Sequence, residues 1–357
     1  MSTPTELSPG ELSAATPAPP DDRLTGTPPL ARLLQRPEVG ALLGALVVFA
    51  YFTITTDKFG TLDGAARWTD VASDLGMMAV VVALLMIGGE FDLSAGVMVG
   101  SSGLVLGLLS VEVGMNIWFA IALTLLFGAS IGFINGFLVM RTKLPSFIVT
   151  LATFFILRGA NLGYTKQVTG EVRVAGIDQV EGFDSARQLL ATSFWSPYNF
   201  RITMLWWIAV TVLATWVLTR TRAGNWIYAV GGDANAARNV GVPVMATKIA
   251  LFVTTSFMAS LVGVMTARRL RSAQASQGIG KEFEYIIAAV VGGCLLTGGY
   301  GSAIGASIGA LIMAMATIGI PFAGWNSDWR WLFLGVILLM AVLVNTFIRR
   351  RAQGARR

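Results

Sequence analysis

The sequence predicts an all-α polytopic membrane protein. It has about ten transmembrane helices, some broken at glycine-rich stretches, with both termini expected on the cytoplasmic side. Three observations predict this class. Hydrophobic residues make up 54% of the 357 and charged residues only 13%. Apolar runs of about 18 residues or more recur along most of the chain, the length at which a helix crosses the hydrocarbon core. These runs are long and continuous, whereas the strands of a membrane barrel are short and alternating. Composition also excludes chemistry. There is no histidine and one cysteine, Cys294. A Ser-His-Asp triad, a His/Cys zinc site and a disulfide framework are therefore excluded, and no metal site is expected. No Gly-x4-Gly-Lys-Ser/Thr phosphate loop occurs in the chain.

Taken in order, residues 1–38 are rich in Pro, Thr, Ser and Ala and read as a disordered cytoplasmic tail. The first span, Val39 to Thr56, is expected to act as its own uncleaved signal. The second covers about Val71 to Gly88 and the third Ala95 to Ser110. Between them lies Gly88 to Gly96, with Glu90 and Asp92 set among glycines. Gly96 and Gly100, then Gly103 and Gly107, have the spacing that lets helices approach closely. The fourth span, Ile117 to Met140, carries Gly132 and Gly136 around Asn135, and Arg141 and Lys143 mark a cytoplasmic turn. The fifth runs from Pro145 to about Tyr164, residues 165–201 form an extracytoplasmic loop, and the sixth span is Thr203 to Leu218. The seventh is Lys248 to Thr266. Arg268, Arg269 and Arg271 follow it on the outer side, against the positive-inside bias, where an acidic partner or snorkelling would accommodate them. The eighth, Tyr285 to Leu296, is short and ends in glycines 298, 299 and 301. The ninth is Ala303 to Ile320, and the tenth starts at Trp331 and ends at Arg349. Trp118, Trp206, Trp207, Trp325, Trp329 and Trp331 suit an outer aromatic belt. Residues 351–357 form a basic cytoplasmic tail. With Arg349 and Arg350 it supplies much of the net charge of +6 and reads as a membrane-surface anchor, not a nucleic-acid patch.

Residues 219–247 are the organising stretch: a short polar segment between long apolar ones. Asp233 follows Gly231 and Gly232 and is placed to N-cap a helix. Ala234, Ala236 and Ala237 favour that helix, Gly241 ends it and Pro243 stops it. Such full punctuation suits a rigid helix of about two turns made to fit a groove on a partner. The plain alternative is an ordinary capped connector.

Polar residues inside the spans are the pathway candidates. Glu90 and Asp92 are acids near membrane depth, which are costly there and so point to function. The competing readings are capping of the third span by Asp92 or Ser94, proton coupling, and pairing of Glu90 with Arg158 or another buried cation. Asn135, Thr150, Thr153 and Asn161 are neutral groups. They suit either helix-to-helix hydrogen bonds or a polyhydroxylated solute that needs donors and acceptors without a counter-charge. The glycine interruptions at 88–96 and 292–302 fall in the two halves of the chain, as broken helices around a translocation site would.

The stretches Gly88–Gly96, Pro145–Thr153, Arg158-Gly159, Tyr228–Gly232 with Ala236-Ala237, Ser272–Gln274 and Gly292–Ser302 occur in order. Together they resemble the permease subunits of the ribose-type sugar importers, an ATP-binding-cassette family that also handles xylose, galactose and related solutes. The resemblance covers about residues 40–350. It implies a multi-pass inner-membrane importer subunit that is not itself an enzyme. The implied partners are a cytoplasmic ATPase subunit, an extracytoplasmic substrate-binding protein and a second permease copy within the lipid, with no nucleic acid. No cofactor is implied on this chain, ATP-Mg lying on the ATPase. Gly231, Gly232, Asp233, Ala236, Ala237, Arg238 and Gly241 correspond to the family's ATPase-coupling loop. Glu90, Asp92, Ser94, Asn135, Thr150, Thr153, Arg158 and Asn161 are the expected pathway residues. Two departures stand out: Glu90 is an extra acid in the Gly-Gly-Asp stretch, and Asp233 stands where the family more often has Asn.

Overall fold

The computed structural model describes residues 37–354; the first 36 residues, most of the predicted tail, and the last three lie outside the described part. The described chain is almost all helix: α1 Pro37–Thr55, α2 Leu62–Ile87, α3 Ala95–Gly107, α4 Ile117–Thr142, α5 Ser146–Thr169, α6 Phe183–Leu190, α7 Thr203–Arg220, α8 Arg222–Gly232, α9 Ala234–Asn239, α10 Val244–Leu270, α11 Lys281–Val291, α12 Ala303–Phe322 and α13 Trp329–Gly354. A π-helical turn at Leu108–Glu112 extends α3. Helix α13 therefore runs into the stretch read as a basic tail.

Among the described residues, eight helices are long and apolar enough to cross a membrane: α1, α2, α3 with its π turn, α4, α5, α7, α10 and α12. Helix α13 has 26 residues in all. Helix α11 has 11 residues and a length of about 16 Å, roughly half of a 30 Å hydrocarbon core. About ten spans were expected, some broken; the eighth, expected to be short, is a half-length helix followed by a glycine-rich turn.

Local chemistry sets the boundaries. Thr61 caps α2 by accepting from the Gly64 N–H at 3.2 Å, which starts the helix nine residues earlier than the apolar run alone suggests. Asn116 caps α4 by accepting from the Trp118 N–H, and Ser302 caps α12 by accepting from the Gly305 N–H at 2.9 Å. Lys143 and Arg271 close α4 and α10 in left-handed backbone conformations.

Helices α2, α3, α10 and α12 form the buried centre, and α1, α4, α5 and α7 leave broad apolar faces exposed. A helix that is apolar all round is a buried one. Small residues make the closest contacts. Beta carbons added at Gly128, Gly132 or Gly136 of α4 would collide with α10 around Ser256–Ser260, Phe252–Val253 and Ile249. The stretch 165–201, expected as a loop, is folded, and its first residues, to Thr169, belong to α5. Strand β1 (Arg173–Ala175) pairs antiparallel with β4 (Ser272–Gln274), and β2 (Ser193–Phe194) pairs with β3 (Phe200–Arg201). Helix α6 lies between β1 and β2 in sequence.

Candidate functional site

The turn between α2 and α3 is fixed by its two glycines. Gly88 takes φ −70°, ψ 0° as the cap of α2, and Gly89 is left-handed at φ 81°. The Gly89 N–H donates to the Met86 carbonyl at 2.9 Å, and the Glu90 N–H reaches back to Leu85 at 3.1 Å. The turn after α11 repeats this geometry. Gly292 has φ −69°, ψ −1° and Gly293 φ 93°, with Gly293 donating to Val290 and Cys294 to Ala289. The two interruptions read from the sequence are thus one backbone motif used twice.

The α2–α3 turn hangs on the neighbouring helices by polar groups. The Phe91 N–H donates to Ser146 Oγ at 3.1 Å, and the Leu93 N–H to Thr150 Oγ1 at 3.0 Å. Asp92 Oδ1 accepts from the Ser94 N–H at 2.8 Å and from the Ser94 hydroxyl at 2.5 Å. Asn135 Nδ2 donates to Ser94 Oγ at 3.1 Å, and Thr153 Oγ1 donates to Asn135 Oδ1 at 2.6 Å. Five expected pathway residues, Asp92, Ser94, Asn135, Thr150 and Thr153, therefore meet in one buried polar cluster between α3, α4 and α5. The hydroxyl of Ser256 on α10 is set against the same Asp92 carboxyl. Asp92 makes no ion pair among the described residues.

The other expected residues sit apart from the cluster. Glu90 pairs with Lys248 of α10, so of the two pairings left open by the sequence it takes another buried cation and not Arg158. Arg158 lies on an exposed face of α5 and makes no ion pair among the described residues, because its side of the helix turns away from α3 and α4. Asn161 is buried two turns further along α5, and its Nδ2 has no hydrogen-bond partner among the described residues.

The second site is the corner of α8 and α9. The sequence signalled α9 but not α8, which Thr221 caps by accepting from the Gly224 N–H. Asp233 ends α8 and starts α9. Its Oδ1 accepts from the Asn235 N–H at 2.8 Å and the Ala236 N–H at 3.0 Å. These bonds, that to Ala236 foremost, hold its carboxyl below the ordinary carboxylate range. Helix α9 has six residues, a little shorter than the two turns expected. Ala237 is buried against Val230 and Val244, while Asn235, Ala236, Arg238 and Val240 face outward. Gly241 follows at φ 86°.

With both sites described, the chain can be compared with known proteins. The family described as branched-chain amino acid transport system / permease component matches residues 64–342. The chain belongs to this family. The permease is 32% identical over 312 residues to the ribose import permease protein RbsC of Escherichia coli strain K12, covering 86% of this chain and 93% of that one. It is 31% identical over 369 residues to the xylose transport system permease protein XylH of the same strain (88% and 93%). It is 32% identical over 314 residues to the fructose import permease protein FrcC of Rhizobium meliloti (86% and 84%). No solved structure matches it. The permease is a multi-pass membrane transport subunit, and ATPase and substrate-binding partners go with that family in general.

At the end opposite α9 the permease carries an ion-pair cluster that sequence reading left unassigned. Arg269 of α10 bonds Asp70 at 3.2 Å and Asp74 at 2.9 Å, both on α2. Arg271 reaches Asp178 at 3.4 Å, and the buried Arg268 donates to the Phe183 carbonyl at 2.7 Å with its guanidinium 5.1 Å from that ring's centre. The arginines that run against the positive-inside bias thus bind acids, a carbonyl and a ring of the same chain. The spacing of Asp70 and Asp74, one helical turn apart, was the available signal. Lys248 carried a fainter one, as the lone cation leading into an apolar run.

Proposed function

We propose that this chain is the membrane-spanning subunit of an ATP-driven importer for a neutral monosaccharide or similar polyol. It would work as a pair of permease copies with a cytoplasmic ATPase, which holds ATP-Mg, and an extracytoplasmic binding protein. The observation that carries the reading is the pairing of two features. One is a buried cluster of hydroxyl, amide and carboxyl groups that ties α3, α4 and α5 together beside the α2–α3 turn. The other is a short capped helix, α9, whose polar face is exposed for a partner. The relatives named for ribose, xylose and fructose support a sugar as the solute. In this reading Asp92, Ser94, Asn135, Thr150 and Thr153 line or shape the pathway, and Gly231 to Gly241 seat on the ATPase. Glu90, Arg158 and Asn161 lie outside that cluster. A pathway must release what it binds, so its contacts are weak and the selective site is the binding protein. Lys248 offsets the charge of Glu90, which argues against Glu90 as a proton carrier.

The test is purification of the tagged permease in mild detergent, with co-purifying chains identified, followed by reconstitution. Stoichiometric recovery of an ATPase, and labelled monosaccharide uptake that needs ATP and survives a protonophore, is the expected result. Uptake by the permease alone on a proton gradient would overturn the proposal.

A further inference from the structure

The end of α8 is locked between the two glycine turns by backbone contacts. A β-carbon added at Gly231 would overlap the Ile87 carbonyl oxygen at the end of α2 and lie 2.7 Å from the Gly299 nitrogen. One added at Gly298 would sit 2.7 Å from the Gly231 oxygen and 2.8 Å from the Gly89 α-carbon. One at Gly299 would sit 2.9 Å from the Gly232 α-carbon. The Gly299 N–H donates to the Ile87 carbonyl at 2.8 Å, and the Tyr228 hydroxyl donates to the Gly301 carbonyl at 2.8 Å. Gly298 and Gly299 are left-handed at φ 79° and 72°, so glycine is needed there twice over, for space and for conformation. Three segments far apart in sequence thus meet backbone to backbone, with almost no side chain between them to absorb displacement.

Asp233 closes α8 and opens α9, so the two helices share one rigid corner. Only Gly232 and Asp233 lie between Gly231 and the start of α9. Gly231 in turn bears on Ile87 and Gly89, which lead into the polar cluster, and on Gly298 and Gly299, which lead into α12.

We propose that Gly231, together with Gly89, Gly298 and Gly299, is the joint that converts displacement of α9 into movement of both glycine turns at once, and that Tyr228 is a positioning residue that keeps the joint closed. Packed elements respond to small shifts by switching between arrangements and not by continuous bending, so a joint without slack is the efficient way to drive two turns together. The proposal rests on the importer reading above and deepens it. It names the residues through which the ATPase would act.

The experiment uses the whole reconstituted complex and compares solute imported per ATP hydrolysed. A spin label at Leu296→Cys, an exposed position in the second turn, reports whether nucleotide moves that turn. Gly231→Ala is expected to assemble and to hydrolyse ATP while the solute-to-ATP ratio falls by about tenfold and the label stops responding to nucleotide. Tyr228→Phe, which removes one hydroxyl and no packing, is expected to lower the ratio by about threefold with unchanged assembly. Gly163→Ala, where an added β-carbon meets nothing within 4 Å, is the control and keeps the wild-type ratio. A wild-type ratio and label response in Gly231→Ala overturns the joint. If Gly231→Ala does not assemble, a wild-type ratio in Tyr228→Phe overturns it instead. Absence of ATP-driven uptake in the wild-type complex overturns the importer reading, and is told apart because no variant is needed to see it.

Discussion

Asp233 does two jobs with one side chain. It terminates α8, and its carboxylate accepts two N–H bonds that start α9. Asn carries a side-chain oxygen in the same place, so Asp233→Asn is expected to keep uptake and ATPase binding near wild type. Asp233→Ala leaves both N–H groups without that acceptor and is expected to weaken both. The pH dependence follows from the lowered pKa. The ionised cap contributes above the unfolded value of 3.8 and is lost only as pH falls through the lower folded value. Binding of the ATPase should therefore be flat from about pH 5 to 8 as far as this group is concerned. A pull-down across that range with wild type and Asp233→Asn checks it: a drop at the acid end in the wild type alone would contradict the assignment. This residue was legible in the sequence because capping is local and written in adjacent letters. Lys248 was not, because its partner Glu90 lies 158 positions away and nothing local marks the pair.

At the scale of elements, the Lys248–Glu90 pair ties α10 to the α2–α3 turn. The two side chains are only 13% and 11% exposed, so water screens the pair weakly. Lys248→Ala leaves Glu90 buried and unpaired, and is expected to cost about 3–5 kcal/mol of stability. The double variant Lys248→Met with Glu90→Gln should recover most of that loss. Thermal unfolding of the two single variants and the double in detergent measures the coupling. Additive losses would show that the pair does not hold these elements together. The helices themselves could be read from apolar run length, and the turns from their glycines, since both signals are contiguous. The β1–β4 pairing could not, because three-residue strands about a hundred positions apart carry no periodic pattern to detect. Helix α8 was hidden for a related reason. Its glycines at 231 and 232 read as the lead-in to α9, while they are in fact the last residues of a preceding helix. Within the candidate pathway, residue type marked the polar positions, but only the rotation of α5 separated Thr150 and Thr153, which face the cluster, from Arg158, which does not.

At the scale of the molecule, the two ends treat their cations differently: Arg268, Arg269 and Arg271 at one end are held by acids, a carbonyl and a ring. Arg141, Lys143, Arg220, Arg222 and Arg238 are all exposed, on the segments that meet at the α9 end, which the positive-inside rule assigns to the cytoplasm. The buried native thiol of Cys294 leaves room for site-directed labelling. Asn235→Cys on α9 is expected to react with a membrane-impermeant thiol reagent only when the cytoplasmic face is open to it, and Ser276→Cys beside β4 only from the outside. Labelling of both from one side would break the topology. The glycine contacts also have a genetic consequence. Every missense change in a glycine codon adds at least a β-carbon, and at Gly231 even that one atom has no room. Such a position offers no conservative exchange, so selection cannot adjust it by small steps. The serines, threonines and asparagine of the polar cluster do have size-matched alternatives. Divergence toward a new solute would therefore accumulate beside the α2–α3 turn, while the backbone contacts at the end of α8 are inherited unchanged or lost altogether.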